Sequence, residues 1–584
     1  MTKHDVLQVD RSRDVSQPLD RLNPAERLKA ESDHLRGTIA EGLLNRLTGS
    51  ISETDQQLVK FHGIYQQDDR DLRDERRRQR LEPAYQFMVR VRLAGGVCQP
   101  GQWLVLDRLA REHGNGTLRL TTRQTFQFHG VLKPHLKPTI RGLHETLLDT
   151  IAACGDDNRG VMCSPLPELS RLHRQLWPLS RQVSERLLPR SRAYHEIWLD
   201  QERVATSETE PLYGETYLPR KFKIGFVVPP VNDIDVYTQD LGFIAIAEGG
   251  DLAGFNVSVG GGMGRTDGDA KTYPRLADVI GFCLPEQAVD LAEQVVRIQR
   301  DFGDRVDRKQ ARFKYTIDRH GLEWLKAELE ERLGSSLAEP RPFSFTTNSD
   351  AYGWRQAEDG GWFFTLFIEN GRIADRDSQA MMTGLREIAR IHRGDLRLTP
   401  NQNLIIARIA GGERRTIERL LDDHGLDHGD RERAHANGAS MLRRHSIACV
   451  GFPTCGLAMA ESERFLPGFI GKLERMAESF GLDREPITVR VSGCANGCSR
   501  PYVAEIALSG RGPGTYNLYL GGGFFGQRLN KPYLVNVDES AILNALEPML
   551  QRYAQDREPG ERFGDFLIRN KIVAAVLRGP DFND

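Results

Sequence analysis

The chain of 584 residues lacks any run of eighteen apolar residues, so no helical membrane span is expected. Its opening stretch, MTKHDVLQVDRSRDVSQPLD, has no apolar segment of the kind a secretory signal needs. Net charge is only −2, which speaks against a nucleic-acid partner held by bulk electrostatics. Cysteine is scarce, with eight residues in all. A cytoplasmic location is the expectation, and in that reducing compartment clustered cysteines point to metal or catalysis rather than disulfides. No G-x-G-x-x-G convincingly opens a strand–helix unit, and no flavin domain is visible. The chain is therefore not expected to oxidise a nicotinamide nucleotide by itself.

What is present is an ordinary globular composition, 39% hydrophobic and 27% charged, long enough for several domains. The first eighty residues are charge-rich and end in QQDDRDLRDERRRQR. They read as an N-terminal extension with a solvated helix face, and as a candidate docking element. From Tyr85 onward strands and helices alternate, and the chain repeats itself. GTLRLTTRQTFQFHG (116–130) resembles GDLRLTPNQNLIIAR (394–408), and NVSVGGGMG (256–264) resembles NLYLGGGFFG (517–526). Two matches in the same order at a similar offset imply two related halves rather than a solenoid. Such halves normally enclose a shared cleft.

At period two, the first copy places Arg119, Thr121, Arg123, Thr125, Gln127 and His129 on one strand face, with Leu118, Leu120, Phe126 and Phe128 on the other. In the second copy Asn401, Ile405 and Ala407 stand where Arg123, Gln127 and His129 stand in the first. The cationic face thus belongs to the first half. The second half carries CVGFPTC (449–455) and GCANGC (493–498). Zinc sites favour tighter pairs than C-x5-C. Wider, unequal spacing suits the four thiolates of a [4Fe–4S] cluster. Spacing alone leaves the cluster, zinc and unrelated cysteines open. Between the pairs, Leu466, Phe469, Ile470, Leu473, Met476 and Phe480 form a helical stripe closed by Gly481, and ITVRV alternates as a strand. Cys98, Cys154, Cys163 and Cys283 show no pairing pattern and read as small buried residues. The two GGG runs are equally compatible with close approach to a ligand and with plain turns.

CVGFPTCGLAMAESERFLP followed by VRVSGCANGCSRP resembles the cluster and sirohaem signature of the sulfite and nitrite reductase haemoprotein family. LRLTTRQTFQFHG, DNRGVMC, AYHEIWLDQERVAT and TYLPRKFK resemble that family's NADPH-dependent assimilatory sulfite reductases, in their haemoprotein (beta) subunit. The resemblance runs from LRGTIAE to GFGDFLIRNKI.

The resemblance implies six-electron reduction of sulfite to sulfide at a sirohaem coupled to a [4Fe–4S] cluster. It makes Cys449, Cys455, Cys494 and Cys498 the cluster ligands, with Cys498 also bridging to the sirohaem iron. Arg90, Arg159, Lys221 and Lys223 match the family's sulfite cage. Arg119, Arg123, His129 and Arg220 match positions facing the macrocycle's carboxylates. Electrons would come from NADPH through the FAD and FMN of a separate flavoprotein (alpha) subunit. The implied fold is mixed α/β (α+β), with pseudo-twofold duplicated halves around a central cofactor cleft. Each half pairs a ferredoxin-like half-domain (81–150 and 346–425) with an α/β domain (151–345 for sirohaem and substrate, 426–584 for the cluster), after the extension 1–80. A ferredoxin-dependent sulfite or nitrite reductase is the near alternative. A non-catalytic metal-cluster module is the alternative of another class.

Overall fold

The computed structural model describes residues 19–166, 170–203, 208–376, 379–427 and 439–583. Residues 1–18 of the expected docking extension lie outside the described residues.

Two five-stranded antiparallel sheets form the half-domains. The first runs Ile64–Asp68, Tyr85–Arg90, Phe126–Val131, Leu118–Leu120 and Arg372–Ile373. The second runs Gly353–Gln356, Trp362–Leu366, Leu404–Ile409, Asp395–Leu398 and Val97–Cys98. Each sheet ends on a two-residue strand lent by the other half. Arg372 stands opposite Arg119, and Cys98 opposite Leu396. The tight turns leading into these strands are built alike. Gly96 (φ 74°) leaves no room for a side chain, because a Cβ there would sit 2.8 Å from the Leu398 carbonyl. Gly371 (φ 72°) meets Leu120 O in the same way at 2.4 Å. Gln124 donates to Leu398 O at 2.9 Å, and its counterpart Gln402 donates to Leu120 O at 3.4 Å. The duplication expected from the repeated segments is thus a pseudo-twofold in three dimensions. The helices Pro100–His113 and Met381–Ile391 pack together behind the two sheets.

Each half then adds a second sheet of the same topology. Met162–Cys163, Ile224–Val227 and Leu241–Glu248 are parallel, followed by antiparallel Asp251–Val259 and Asp278–Cys283. Ser446–Ala448, Val489–Ser492 and Ile506–Gly512 are parallel, followed by antiparallel Thr515–Leu520 and Lys531–Val537. The helix Leu466–Ser479 makes the crossover between the first two strands of the last sheet. It buries Leu466, Phe469, Ile470 and Leu473, as its stripe predicts, with Met476 and Phe480 packed at the edge. One apolar core runs through both half-domains and the first α/β unit, while the last α/β unit has its own.

The expectation of a separate N-terminal extension needs correction for residues 19–80. Ile64–Asp68 is an outer strand of the first sheet, paired from Ile64 opposite Val89 to Asp68 opposite Tyr85. Leu35, Ile39, Leu58 and Phe61 are core residues. Only the helix Arg73–Arg78 is the solvated, mixed-charge element that was expected. The physical reason is that IYQQD needs only one buried face, and its polar residues share a strand with buried Ile64. Cβ atoms at Gly261 and Gly522 would meet the carbonyl oxygens of Tyr237 and Ala504 at 2.3 and 2.2 Å. Both GGG runs are irregular segments packed closely against backbone from elsewhere in the chain, and neither borders the central cavity.

Candidate active site

Between the halves lies a cavity of about 570 Å³. The strands Leu118–Leu120 and Phe126–Val131 turn one face to it. Arg119, Thr121, Arg123, Thr125, Gln127 and His129 all border it, while Leu118, Leu120, Phe126 and Phe128 are core residues. Strand alternation accounts for Arg119, Gln127 and His129, whereas Thr121, Arg123 and Thr125 lie in the turn between the two strands, so the single period-two face expected across 119–129 is in fact a hairpin. The matching face of the second half is closed. Asn401 donates to Asn348 O and Asp350, and Ile405 and Ala407 are buried among apolar neighbours.

The expected cage residues line the same space. Arg90 ends the strand Tyr85–Arg90 and donates to Cys154 Sγ at 2.8 Å. With the Gln127 amide oxygen turned towards it, Arg90 also donates from Nη2 at 2.6 Å. Arg159 donates from Nε to Gly155 O at 2.9 Å. Lys221 and Lys223 alternate with buried Phe222 and Ile224, which aims both lysines at the cavity. Among the described residues neither ammonium has a hydrogen-bond or ion-pair partner. Burial, reinforced by Arg220 and Arg312, pulls Lys221 down to about 7. Burial and Arg123 hold Lys223 well below the usual lysine range.

Arg119 donates to Glu463 at 2.8 Å and to Ala448 O at 2.9 Å. Arg123 donates to Gln239 at 2.8 Å and Gly160 O at 2.6 Å, and burial beside Arg159 lowers it to about 9. His129 is buried and held neutral by desolvation and by Arg372 and Arg119, and its Nδ1 has no hydrogen-bond partner among the described residues. Arg220 lies 3.5 Å from Asp156. Among the described residues, eleven lysines and arginines border the cavity against one carboxylate, Asp156. Such an imbalance in a buried space is costly unless an anion fills it.

All four paired cysteines border the same cavity. Cys449 follows the strand Ser446–Ala448, and Cys494 and Cys498 follow Val489–Ser492, its parallel neighbour. Carboxyl ends of adjacent parallel strands are where such sheets present loops to a ligand. Gly493 N–H donates to Cys449 Sγ at 3.1 Å, and Asn496 donates to Cys494 Sγ at 3.4 Å. Burial, helped by the other paired cysteines, pushes the Cys449 thiol up to about 12, and burial with Cys498 and Cys455 pushes Cys494 up to about 11. The pairs therefore share one electrostatic neighbourhood. Among the described residues, no three His, Cys, Asp or Glu side chains converge tightly enough for one metal ion. Thiols spread around a space, with amide donors on two of them, suit a multi-iron cube better than zinc. Cys98, Cys154, Cys163 and Cys283 are buried, as expected of them.

Sequence reasoning missed several residues of this wall. Arg500 lies two residues after the second cysteine pair and donates to Asp235, Thr122 O and Pro400 O. Its position in CSRP was the available signal. Tyr65, Lys60 and Arg308 also border the cavity, and no local pattern marks them.

A family model described as "Nitrite/Sulfite reductase ferredoxin-like half domain" matches residues 78–146 and 355–424. A second, "Nitrite and sulphite reductase 4Fe-4S domain", matches residues 180–337. That stretch belongs to the first α/β unit, whereas the paired cysteines lie in its structural duplicate. The chain is 60% identical to the "Sulfite reductase [NADPH] hemoprotein beta-component" of Methylocella silvestris, across 98% of this chain and 99% of the relative. It is 60% identical to the protein of that name from Bordetella petrii, across 98% and 97%, and 58% identical to the one from Nitrosomonas europaea, across 98% and 99%. The solved structure of the Mycobacterium tuberculosis NirA protein shares the fold, with a TM-score of 0.76 at 24% identity over 95% of this chain and 97% of that one.

Proposed function

This chain belongs to the nitrite and sulfite reductase family, and on that premise we propose that it is the haemoprotein subunit of an assimilatory sulfite reductase. The observation that carries the reading is one cavity that joins four cysteines to eleven cations facing a single carboxylate. Sirohaem bears eight carboxylates and sulfite is a dianion, so a bound macrocycle and substrate supply the missing negative charge. When bound, the sirohaem and its [4Fe–4S] cluster supply the electrons and the iron that takes the sulfur.

In this reading Cys449, Cys455, Cys494 and Cys498 would hold the cluster, and Cys498 would also be the ligand offered to the sirohaem iron. Cys498 is the exposed member of the four, and Thr122 Oγ1 donates to its carbonyl at 2.9 Å. Arg119, Arg123, Arg220 and the unpartnered Nδ1 of His129 face the macrocycle's carboxylates. Arg90, Arg159, Lys221 and Lys223 hold the oxyanion. Fixed cations of this kind act where charge develops and need no reorganisation during the reaction. The three oxygens of sulfite leave as water, so each needs protons at the moment its bond to sulfur breaks. Lys221 Nζ, which burial and the neighbouring Arg220 and Arg312 draw down from the usual lysine range, is the group placed to hand one over.

The electrons come from NADPH through a separate flavoprotein subunit carrying FAD and FMN, in line with the relatives' name of beta-component. No helix of the described residues is long and apolar enough to cross a membrane, and the cytoplasm is the proposed place of action. The test is the visible spectrum of the purified protein, with iron and acid-labile sulfide analysis, then kcat/KM for sulfite and nitrite with reduced methyl viologen. Sirohaem absorption, four irons per cluster and preference for sulfite are expected. A colourless or zinc-only protein would end the reading, and preference for nitrite would move it to the near alternative.

A further inference from the structure

The cavity does not stop at the cage. It extends to a mouth walled by the N-terminal segment, where Ala25 and Leu28 of the helix Pro24–Ala30, Gln57 and Lys60 border it together with Arg220 and Arg308. This end is half wet. Gln57 is exposed, and the side chains of Arg220 and Arg308 are 30% and 33% accessible. Its single carboxylate, Asp156, is already divided among Arg308 at 2.8 Å, Arg220 at 3.5 Å and Lys29 at 3.8 Å. Lys60 has no carboxylate partner among the described residues, and its Nζ donates only to Gln57 Oε1.

The mouth and the cage meet at one ring. Lys60 Nζ stands 5.7 Å and Arg90 Cζ 5.9 Å from the centroid of Tyr65. Arg220 is the chain neighbour of Lys221. A continuous cationic path therefore leads from the half-wet mouth to the buried end.

We propose that Lys60, with Arg220 and Arg308, forms an outer station that captures the incoming oxyanion by charge before it loses its water and enters the cage. This rests on the sulfite-reducing reading above. A dianion entering a low-dielectric space meets a desolvation cost that falls on the encounter step. Cations at the opening that keep part of their surface in water raise its local concentration before the anion itself is desolvated, and salt screens the effect. Lys60 is the member whose charge is least committed elsewhere.

The experiment uses the full-length holoprotein with saturating reduced methyl viologen, and measures sulfite kcat and KM at low and high ionic strength for wild type, Lys60→Met and Lys60→Arg. Lys60→Met should raise KM roughly threefold or more at low salt, leave kcat and the visible spectrum unchanged, and flatten the salt dependence of kcat/KM. Lys60→Arg should restore all three. Unchanged KM and salt dependence in Lys60→Met would overturn the proposal. Loss of sirohaem absorption in that variant would overturn it too, by assigning Lys60 to the macrocycle's carboxylates. A wild type that carries sirohaem but leaves sulfite untouched would instead refute the functional reading itself.

Discussion

Arg70 donates from Nη2 to the carbonyl oxygen of Cys455 at 3.0 Å, across 385 residues of sequence. Its Nη1 reaches Ala458 O at 2.7 Å, and its guanidinium lies 4.8 Å from the Phe452 ring centroid. The short helical turn Arg70–Leu72, which follows the strand Ile64–Asp68, thus clamps the loop that carries one cysteine pair. A planar fork that spans two carbonyls has no equivalent in lysine. Arg70→Ala should cost about 1–3 kcal/mol through the two carbonyls left unpaired. The purified variant should hold less iron and acid-labile sulfide per chain and unfold at lower temperature, with Arg70→Lys between the two. Wild-type iron content in Arg70→Ala would show the clamp to be dispensable.

Cys498 is the proposed shared ligand. Cys498→Ser should lower sulfite turnover by more than about 100-fold, beyond what loss of an outer-shell partner costs. The visible spectrum should lose the signature of a coupled haem–cluster unit. Full activity in this variant would count decisively against the assignment.

Lys221 separates substrate handling from cofactor binding. Lys221→Met should reduce kcat for sulfite by about 100-fold, the lower end of what a positioned proton donor supplies, with both cofactors retained. Its pKa is lowered to about 7, so the charged form is present below that value and is lost as pH rises through it. The macrocycle's carboxylates act in the opposite direction, so in the holoprotein kcat/KM should fall at or above neutrality. Lys221→Arg keeps its charge over the whole range, and should flatten the alkaline rise in KM while kcat stays low. Loss of sirohaem in Lys221→Met would show the lysine to be structural.

Glu463 ties the halves together. It accepts from Arg119 at 2.8 Å and from Arg372 at 2.7 and 3.0 Å, and 16% of its side chain is exposed. Burial works against its charge, but Arg119 and Arg372 outweigh it and hold the carboxyl at about 2. A lowered carboxyl pKa contributes stability that is complete above the unfolded value near 4.5 and is lost as pH falls towards 2. Glu463→Gln should therefore lower the unfolding midpoint at pH 7 by an amount corresponding to about 3 kcal/mol. The gap from wild type should close between pH 4.5 and pH 2. A gap that persisted at pH 2 would show that the glutamate acts through packing alone.

Much of this was legible in the chain itself. The cavity-facing Arg119, Gln127 and His129 of one hairpin, the alternation of Lys221 and Lys223 with Phe222 and Ile224, and the stripe from Leu466 to Phe480 follow from local periodicity. The duplication was legible because two segments recur in order. Tyr65 and Lys60 were not, because a strand such as Ile64–Asp68 has one buried face and its partner, Tyr85–Arg90, lies beyond a charged helix. Glu463 was equally silent. In MAESERF it is one acid among several, and only its meeting with Arg119 and Arg372 distinguishes it.

The sequence by itself determined which faces are apolar, which are cationic, and where four cysteines sit along the chain, since side-chain period and spacing are properties of the backbone's own geometry. Only the tertiary structure decided that these pieces share one cavity. The exchange of Val97–Cys98 and Arg372–Ile373 between the two sheets, and the docking of Arg70 on the cysteine loop, are contacts between residues hundreds of positions apart. Their energy exists only once the halves have closed on each other.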